Sequence, residues 1–232
     1  MGEFWDQRAR ENSLYFINNS LSYRETDPDA FWASGPKDVD AVLGALGIAI
    51  EPDDDIVEIG CGVGRMTRPM AERGRSVRAL DVSSEMLQQA RAENPGLDNV
   101  EWIHGNGTEL NGVEDASADG VLSYVVLQHI PDPQVTLGYI REMGRILRPG
   151  GWAAFQVSND PSVHKPRGER GAKQKLKVAL GRAPGGQEHG AWLGSAVTVN
   201  EVRAAAGEGG MGIERTEGEG TQFCLVLTRK RG

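Results

Sequence analysis

Three glycines alternate with other residues at the end of a short apolar run, in the stretch DIVEIGCGVGR that covers residues 55–65. A strand that ends in such a turn presents backbone N–H groups to a ligand, and these groups favour a phosphate when a helix follows. The dinucleotide-binding pattern Gly-x-Gly-x-x-Gly is incomplete, because Arg65 occupies its third position and the extra glycine is Gly64. The sequence pattern of the triphosphate-binding loop is absent as well, since no Lys-Ser or Lys-Thr pair follows.

Two carboxylates accompany the glycines. Glu58 lies two positions before Gly60 and is predicted to face the same cleft from the end of the strand. A carboxylate there repels a pyrophosphate and attracts a ligand with an ammonium and a sulfonium group. Asp81 ends the next predicted strand, 21 residues after Gly60, and can accept two hydrogen bonds from the diol of a ribose. The diol occurs in both nucleotide families, so it is Glu58 that disfavours a nicotinamide dinucleotide.

The composition indicates one globular domain. The chain has 232 residues, 39% of them hydrophobic and 25% charged, which is enough for one sizeable core. Its formal net charge of −8 argues against the broad basic surface of a nucleic-acid-binding protein. The two cysteines, Cys61 and Cys224, form neither a disulfide framework nor a metal-ligand pattern, so we expect no metal site and a reducing compartment.

The sequence also bears on targeting and membranes. The first residues, MGEFWDQRARENS, are charged and lack the apolar core of a signal peptide. The longest near-apolar run, Ala41–Ile50, is about half as long as a membrane span. We therefore expect a cytoplasmic protein that does not associate with a membrane.

From residue 56 onward, short apolar runs alternate with segments of helical spacing, which predicts a parallel sheet with helices on both faces. The predicted strands are 56–59, 76–80, 100–103, 119–124 and 152–157, and the helices between them are 64–73, 84–93 and 133–147. Ser83 or Ser84 can cap the second of these helices. A capping box at Thr198–Glu201 opens a further helix, and residues 213–216 and 221–228 are predicted to form an antiparallel hairpin at the sheet edge.

Two segments lie outside the predicted sheet. Residues 1–50 have helical spacing and many aromatic side chains, and we interpret them as an N-terminal helical lid on a domain formed by residues 51–232. Residues from about 159 to 195 are rich in glycine, proline and charge, which indicates an insertion into that domain. Its stretch Lys165–Arg182 holds seven basic residues and one acid, and is interpreted either as a cover for an anionic substrate or as a solvated helix. Trp192 either lines a substrate pocket or anchors the insertion.

Five motifs, in order, resemble those of class I S-adenosylmethionine-dependent methyltransferases of the small-molecule type (Methyltransferase-11/25-like). They are Glu58–Gly64, Leu80–Ser83, Ala118–Ser123, Leu127–Pro131 and Leu147–Gly151, and the resemblance covers residues 37–157. It implies a Rossmann-like α/β fold whose seven-stranded, mostly parallel sheet has the order 3-2-1-4-5-7-6, with the last strand antiparallel and helices on both faces. It also implies S-adenosyl-L-methionine as the cofactor.

The resemblance assigns cofactor contacts residue by residue. The residues expected to bind the cofactor are Glu58, Gly60, Cys61, Gly62, Gly64, Asp81, Val82, Met86, Asn106, Gly107 and Ser123. Glu58 and the backbone of the glycine loop are expected to hold the methionine part, with Ser123 beneath it, and Asp81 the ribose. Val82 and Met86 are expected near the adenine. Asn106 stands where the family usually has an aspartate, and its amide oxygen can still accept a hydrogen bond from the adenine amino group.

Two residues are candidates for work on the methyl acceptor. His129, in the motif after the fourth strand, is predicted either to deprotonate or orient the acceptor, or simply to pack locally. Tyr15 is the candidate for closing the N-terminal segment over the site.

These observations predict an enzyme that transfers the methyl group of S-adenosylmethionine to an O, N or C nucleophile of a small molecule by in-line displacement. Three alternatives stay open. The same fold acts on protein or nucleic acid in other enzymes, although Ser123–Val126 lacks the Asn/Asp-Pro-Pro-Tyr/Phe motif of nucleic-acid amino methyltransferases. The chain could also bind S-adenosylmethionine without methylating, or be a nicotinamide oxidoreductase, which Glu58 disfavours.

Overall fold

The computed structural model describes residues 1–165, 177, 178, 180 and 183–232. Nearly all of the basic stretch 165–182 lies outside these residues, so both interpretations of that stretch stay predictions. The described strands are β1 (Asp55–Ile59), β2 (Ser76–Asp81), β3 (Val100–His104), β4 (Ala118–Ser123), β5 (Leu147–Val157), β6 (Met211–Glu217) and β7 (Cys224–Lys230).

These strands form one sheet in the order β3-β2-β1-β4-β5-β7-β6. The first five strands are parallel to one another, whereas β7 runs antiparallel to β5 and β6 runs antiparallel to β7. The predicted Rossmann-like α/β fold, with its strand order and its antiparallel last strand, is confirmed. The hairpin formed by β6 and β7 lies at the sheet edge, as its turn-rich connection predicted.

Helices connect the strands. They are α1 (Gly2–Ile17), α2 (Pro28–Leu46), α3 (Thr67–Ala71), α4 (Ser84–Glu93), α5 (Pro133–Ile146), α6 (Gly190–Leu193) and α7 (Val199–Glu208). The predicted helix 64–73 is shorter than expected, because Gly64 still has a positive φ and Pro69 fits only into the first turn of a helix. No helix in the described part of the chain is long and apolar enough to cross a bilayer.

Both faces of the sheet are buried, which is why the central strands carry apolar residues at consecutive positions. Ile56 and Val57 of β1 are both fully buried but belong to different hydrophobic clusters. The cluster of Val57 includes Ile140 of α5, and the cluster of Ile56 includes Val42 of α2. Helices therefore cover the sheet on two sides and leave its edges for ligands.

The strand order reverses between β1 and β4, which are neighbours in the sheet but are separated in the chain by β2 and β3. Because the carboxyl ends of parallel strands meet at one edge, the loops that follow β1 and β4 leave a crevice there. These loops approach closely, since a Cβ added to Gly60 would lie 2.3 Å from Cγ2 of Val126. This edge is the position of the candidate site.

The two N-terminal helices have different surroundings. In α2, Asp27 caps the N-terminus, and Val39, Val42 and Leu46 are buried in the cluster that covers one face of the sheet. This helix is therefore a layer of the fold. Residues of α1 line the crevice, and Ser34 and Asp38 of α2 line it as well, so the lid predicted for residues 1–50 stays a prediction.

The carboxylate of Asp6 is one of the groups that attach α1 to α4. Oδ1 of Asp6 accepts hydrogen bonds from Oγ of Ser83 at 2.6 Å and from the backbone N–H of Glu85 at 3.0 Å. Burial acts to raise the pKa of Asp6, but these hydrogen bonds hold it below its usual value. Oγ of Ser83 in turn accepts the N–H of Met86, so Ser83 rather than Ser84 caps α4.

Two helical glycines should respond oppositely to replacement by alanine. A Cβ on Gly144 of α5 would lie 2.2 Å from the carbonyl oxygen of Gly209, a backbone atom at the end of α7. We expect Gly144→Ala to lower the free energy of unfolding by about 2 kcal/mol. A Cβ on Gly44 of α2 meets no atom within 4 Å, so Gly44→Ala should raise that free energy by up to about 1 kcal/mol.

Urea denaturation of both variants measures the two changes against the parent protein. Equal effects in the two helices would contradict the close packing of α5 against the end of α7.

Candidate functional site

The three glycines of the loop after β1 all have a positive φ, which explains their alternate spacing. Gly60 and Gly62 line the crevice, with φ of +78° and +55°. A Cβ on Gly62 would lie 2.7 Å from Cδ1 of Ile17 in α1. A Cβ on Gly64 would instead lie 2.7 Å from the ring of Trp102 in β3, so this glycine serves the packing of the sheet rather than the crevice.

Glu58 is a buried carboxyl group at the end of β1, with 4% of its surface exposed. Burial raises the pKa of Glu58 to about 7, although a hydrogen bond from Oγ1 of Thr67 and the charge of Arg65 lower it in part. A cation that approaches such a group stabilises its ionised form. Glu58 is therefore suited to an ammonium group.

Arg65 is a site residue that the sequence did not reveal, because its position was compared only with a third glycine. The side chain is buried, and its Nη1 donates to Oγ of Ser34 at 2.9 Å and to Oδ2 of Asp38 at 2.5 Å. Its Nε atom is buried with no hydrogen-bond partner. An unpaired buried donor is costly, and a ligand carboxylate is the acceptor that suits a guanidinium.

Asp81 closes the glycine loop from the end of β2. Its Oδ2 accepts the N–H of Gly62 at 2.9 Å, and its Oδ1 accepts the N–H of Ser83 at 2.8 Å. Burial raises the pKa of Asp81, and these two hydrogen bonds lower it in part. Each carboxylate oxygen retains a further lone pair, so Asp81 can still accept hydrogen bonds from a diol.

A cavity of about 1020 Å³ joins these residues, at the upper end of the size range of ligand pockets. The predicted residues that line it are Glu58, Gly60, Cys61, Gly62, Asp81, Val82, Met86, Gly107 and His129. Trp192 also lines it. Further lining residues, which the prediction did not include, are Met1, Trp5, Phe16, Ile17, Arg65, Tyr124 and Gln128. Four of these seven belong to the N-terminal segment, where only Tyr15 was named as a closing residue.

Tyr15 does not line the cavity. Helix α1 is interrupted at Asn12, where φ is −172°, and the ring of Tyr15 packs edge-on against Phe16 and Tyr23, with centroids 5.3 and 5.0 Å away. Phe16 lines the cavity in its place. One residue along a helix turns the side chain by about 100°, so aromatic spacing alone did not identify the inward-facing ring.

Three residues predicted to contact the cofactor also lie outside the cavity lining: Gly64, Asn106 and Ser123. Ser123 is buried beneath the site and donates its hydroxyl to the carbonyl of Ile59 at 3.2 Å. Asn106 is exposed, and its Oδ1 accepts the N–H of Thr108 at 2.9 Å and the hydroxyl of Thr108 at 3.1 Å. This oxygen stabilises its own turn, and the contact of Asn106 with the adenine stays a prediction.

A chain of hydrogen bonds fixes His129 in the cavity wall. Oε1 of Gln156 accepts the N–H of Val125, so its Nε2 must be the atom that donates to Oε1 of Gln128, at 3.1 Å. Nε2 of Gln128 then donates to Nε2 of His129 at 3.2 Å. Nδ1 of His129 donates to the carbonyl of Trp192 at 2.9 Å. The N–H of Val125 and the carbonyl of Trp192 lie at the two ends of this series of hydrogen bonds. They thus decide the orientation of both amides and the tautomer of the imidazole.

The imidazole of His129 is neutral in this arrangement, with its proton on Nδ1. Burial lowers the pKa of His129 to about 4, although the hydrogen bond to Trp192 acts to raise it. A group with so low a pKa is a weak base at neutral pH. The geometry therefore favours the orienting role of His129 over proton abstraction, and the role itself stays a prediction.

Comparison with known proteins agrees with this geometry. Residues 57–155 match a family model described as a methyltransferase domain. The ubiquinone biosynthesis O-methyltransferase of Maricaulis maris is 26% identical over 220 residues, which cover 93% of this chain and 78% of that protein. The N-demethylindolmycin N-methyltransferase of Streptomyces griseus is 31% identical over 132 residues, which cover 55% of each chain. Several other curated relatives are matched over less than half of their length.

A solved structure supports the same assignment of the fold. The crystal structure of an S-adenosylmethionine-dependent methyltransferase from Mesorhizobium loti matches with a TM-score of 0.61 and 22% identity, covering 82% of this chain and 96% of that one. Residues 57–155 thus form a methyltransferase domain, and the findings together support a class I S-adenosylmethionine-dependent methyltransferase, as the motifs predict, with S-adenosylmethionine as its cofactor. The unpartnered Nε of Arg65, the carboxylates of Glu58 and Asp81 and the glycine loop fit that cofactor.

The low pKa of His129 should make the fold less stable in acid. The unfolded chain takes up a proton at the ordinary pKa of 6.5, whereas the folded protein resists protonation down to about 4. The free energy of unfolding should therefore fall as the pH drops through this window. In His129→Gln, which cannot titrate, the fall should be smaller.

Thermal unfolding of both proteins across that pH range measures the difference. Other groups such as Glu58 titrate in both proteins, so their contribution to the pH dependence cancels in the difference. Parallel curves for the two proteins would mean that His129 titrates normally.

Proposed function

We propose that this protein transfers the methyl group of S-adenosylmethionine to an O, N or C nucleophile of a small molecule by in-line displacement. The observation that carries the proposal is a pair of buried, oppositely charged side chains, Glu58 and Arg65, which line one cavity beside the glycine loop. Such a pair matches the ammonium and carboxylate groups of an amino acid. A pyrophosphate at the same loop would meet the carboxylate of Glu58.

The other lining residues support a cofactor that extends along the sheet edge. Asp81 ends β2 and is suited to the ribose diol. Val82, Met86 and Gly107 follow the ends of β2 and β3 and suit an adenine ring. The methionine part would then lie near Glu58 at the end of β1, where the strand order reverses.

When bound, S-adenosylmethionine supplies a methyl group on a positively charged sulfur, which an acceptor lone pair can displace as a neutral thioether. The chain contributes by holding the acceptor in line, since orientation alone can supply several kcal/mol. The turn after β4 is built for such positioning. Val125 has a φ of +58°, which is rare for a β-branched residue, and its N–H is held by the buried Gln156.

Several observations support a small acceptor rather than a macromolecule. Residues Trp5, Phe16 and Ile17 of α1 make one wall of the pocket and narrow the space open to an acceptor. The net charge of −8 is unfavourable for nucleic acid. The two curated relatives described above are named as an O-methyltransferase of ubiquinone biosynthesis and an N-methyltransferase of demethylindolmycin.

Isothermal titration calorimetry tests the cofactor assignment. We expect heat of binding from S-adenosylmethionine and from its demethylated product, S-adenosylhomocysteine, and none from NAD. Gly62→Asp should abolish binding, because a side chain and a negative charge enter beside Ile17 and Asp81. Gly150→Asp is the matched control, since Gly150 also has a positive φ, of +83°, but meets no atom within 4 Å.

Unchanged affinity in Gly62→Asp would rule out the assigned loop, and binding of NAD alone would overturn the proposal. Methyl transfer itself is tested by incubating the protein with methyl-labelled S-adenosylmethionine and a metabolite extract. We expect one labelled small molecule. Label in protein or nucleic acid instead would show that the acceptor is a macromolecule.

Binding of the cofactor should weaken in mild acid. The carboxyl group of Glu58 has a pKa of about 7 without ligand, so it must lose its proton to pair with a cation. Affinity should therefore fall as the pH drops below about 7, by up to about tenfold per pH unit. Glu58→Gln should bind more weakly at neutral pH and lose most of this pH dependence. Calorimetry from about two pH units below this pKa to about one unit above it measures both. An equally steep dependence in Glu58→Gln would exclude Glu58 as its source.

A further inference from the structure

Four ring-bearing side chains form one side of the cavity, which we call the aromatic wall: Trp5 and Phe16 of α1, His129, and Trp192 of α6. The ring of Trp192 lies 5.8 Å from Phe16 and 6.4 Å from Trp5, and Trp5 lies 5.6 Å from His129, measured between centroids. All four side chains also line the cavity, so they present ring surface to a ligand as well as to one another.

His129 and Trp192 of the aromatic wall lie on the opposite side of β1 from the residues suited to the nucleoside. Asp81 ends β2 and Gly107 follows β3, on one side of β1, whereas His129, which is hydrogen-bonded to Trp192, follows β4, on the other side. The cavity of about 1020 Å³ is large enough for a second molecule beside a cofactor. A ligand against the aromatic wall would therefore occupy the part of the cavity that the cofactor leaves.

The backbone around Trp192 is held by hydrogen bonds from distant segments. Its own carbonyl accepts Nδ1–H of His129, and the carbonyl of Leu193 accepts a hydrogen bond from His164. Oγ of Ser195 donates to the carbonyl of Ile130 at 2.7 Å. A wall that is ordered before binding loses little conformational entropy when a ligand arrives.

The charges around the cavity disfavour an anion. Among the described residues that line it, Arg65 has the only permanently cationic side chain, and that side chain is paired with Asp38. Asp38, Glu58 and Asp81 contribute carboxyl groups to the same lining. His129 is neutral, so the aromatic wall itself has no charge to offer a phosphate or carboxylate.

We propose that the aromatic wall is the acceptor subsite and that it selects a flat, uncharged aromatic ring. The inference rests on the proposed function, because it takes the space beside the cofactor as the acceptor's. Offset and edge-to-face contacts with Trp5, Phe16 and Trp192 favour an aromatic ring over a saturated ring of the same skeleton. In the part of the lining that the structure describes, an anionic acceptor would find no cationic side chain other than Arg65, which is already paired with Asp38.

Three probes with the same bicyclic carbon skeleton test the selection: 1-naphthol, decahydro-1-naphthol and 1-naphthyl phosphate. Their binding is measured by calorimetry on protein saturated with S-adenosylhomocysteine. We expect 1-naphthol to bind at least about five-fold more tightly than either of the others, as ring contacts of this kind allow.

A pair of matched variants locates the subsite. Trp192→Leu should weaken 1-naphthol binding about ten-fold while S-adenosylhomocysteine affinity stays within about two-fold. Trp32→Leu is the control, because Trp32 is a half-buried tryptophan of α2 that stacks on Arg68 and does not line the cavity. It should leave the affinity for 1-naphthol unchanged. Trp192→Phe, which keeps a flat ring, should restore most of the lost affinity.

The outcomes separate this inference from the proposed function. Failure of S-adenosylhomocysteine to bind would overturn the proposed function. If it binds but decahydro-1-naphthol binds as well as 1-naphthol, or if Trp192→Leu and Trp32→Leu behave alike, the acceptor inference alone is wrong. Tighter binding of 1-naphthyl phosphate would also overturn it and would indicate a contribution from the basic stretch 165–182.

Discussion

The main electrostatic constraint on this site is the burial of a carboxyl group at the end of a central strand, which disfavours its charged form. Glu58 lies in β1, which has a strand on each side and a helical layer on each face, so its charge has little access to water. Burial therefore raises its pKa to about 7, and Thr67 and Arg65 offset only part of that cost. A ligand ammonium would supply the missing compensation, which makes the carboxyl group a determinant of what can bind.

Arg65 connects this buried carboxyl group to helix α2. Ser34 and Asp38 of α2 hold its guanidinium by hydrogen bonds, and its charge lowers the pKa of Glu58. A Cβ on Gly35 would lie 2.0 Å from the carbonyl oxygen of Arg65, so α2 and the glycine loop are in direct backbone contact. The helix that covers the sheet thus also positions the charge beside the cofactor site.

The fold was predictable from the sequence because its signals are local or repeated. The helix Ser84–Glu93 matches its prediction, and the capping box between Thr198 and Glu201 forms as expected, since both depend on hydrogen bonds within a few residues. Apolar runs such as Ile56–Ile59 identified strands buried on both faces. The position of the last two strands came from the family resemblance, because pairing of β7 with β5 joins segments far apart in the chain.

The sequence by itself determined the fold class and the cofactor side of the site, where Glu58, the glycines and Asp81 occupy ends of adjacent strands. Only the tertiary structure could indicate the proposed acceptor side, because the aromatic wall joins α1, the turn after β4 and α6. Which ring faces inward there depends on the break at Asn12, and the tautomer of His129 depends on the amide of Gln156 in β5. Such orientations are set by packing and hydrogen bonds between distant segments, which no local pattern of residues encodes.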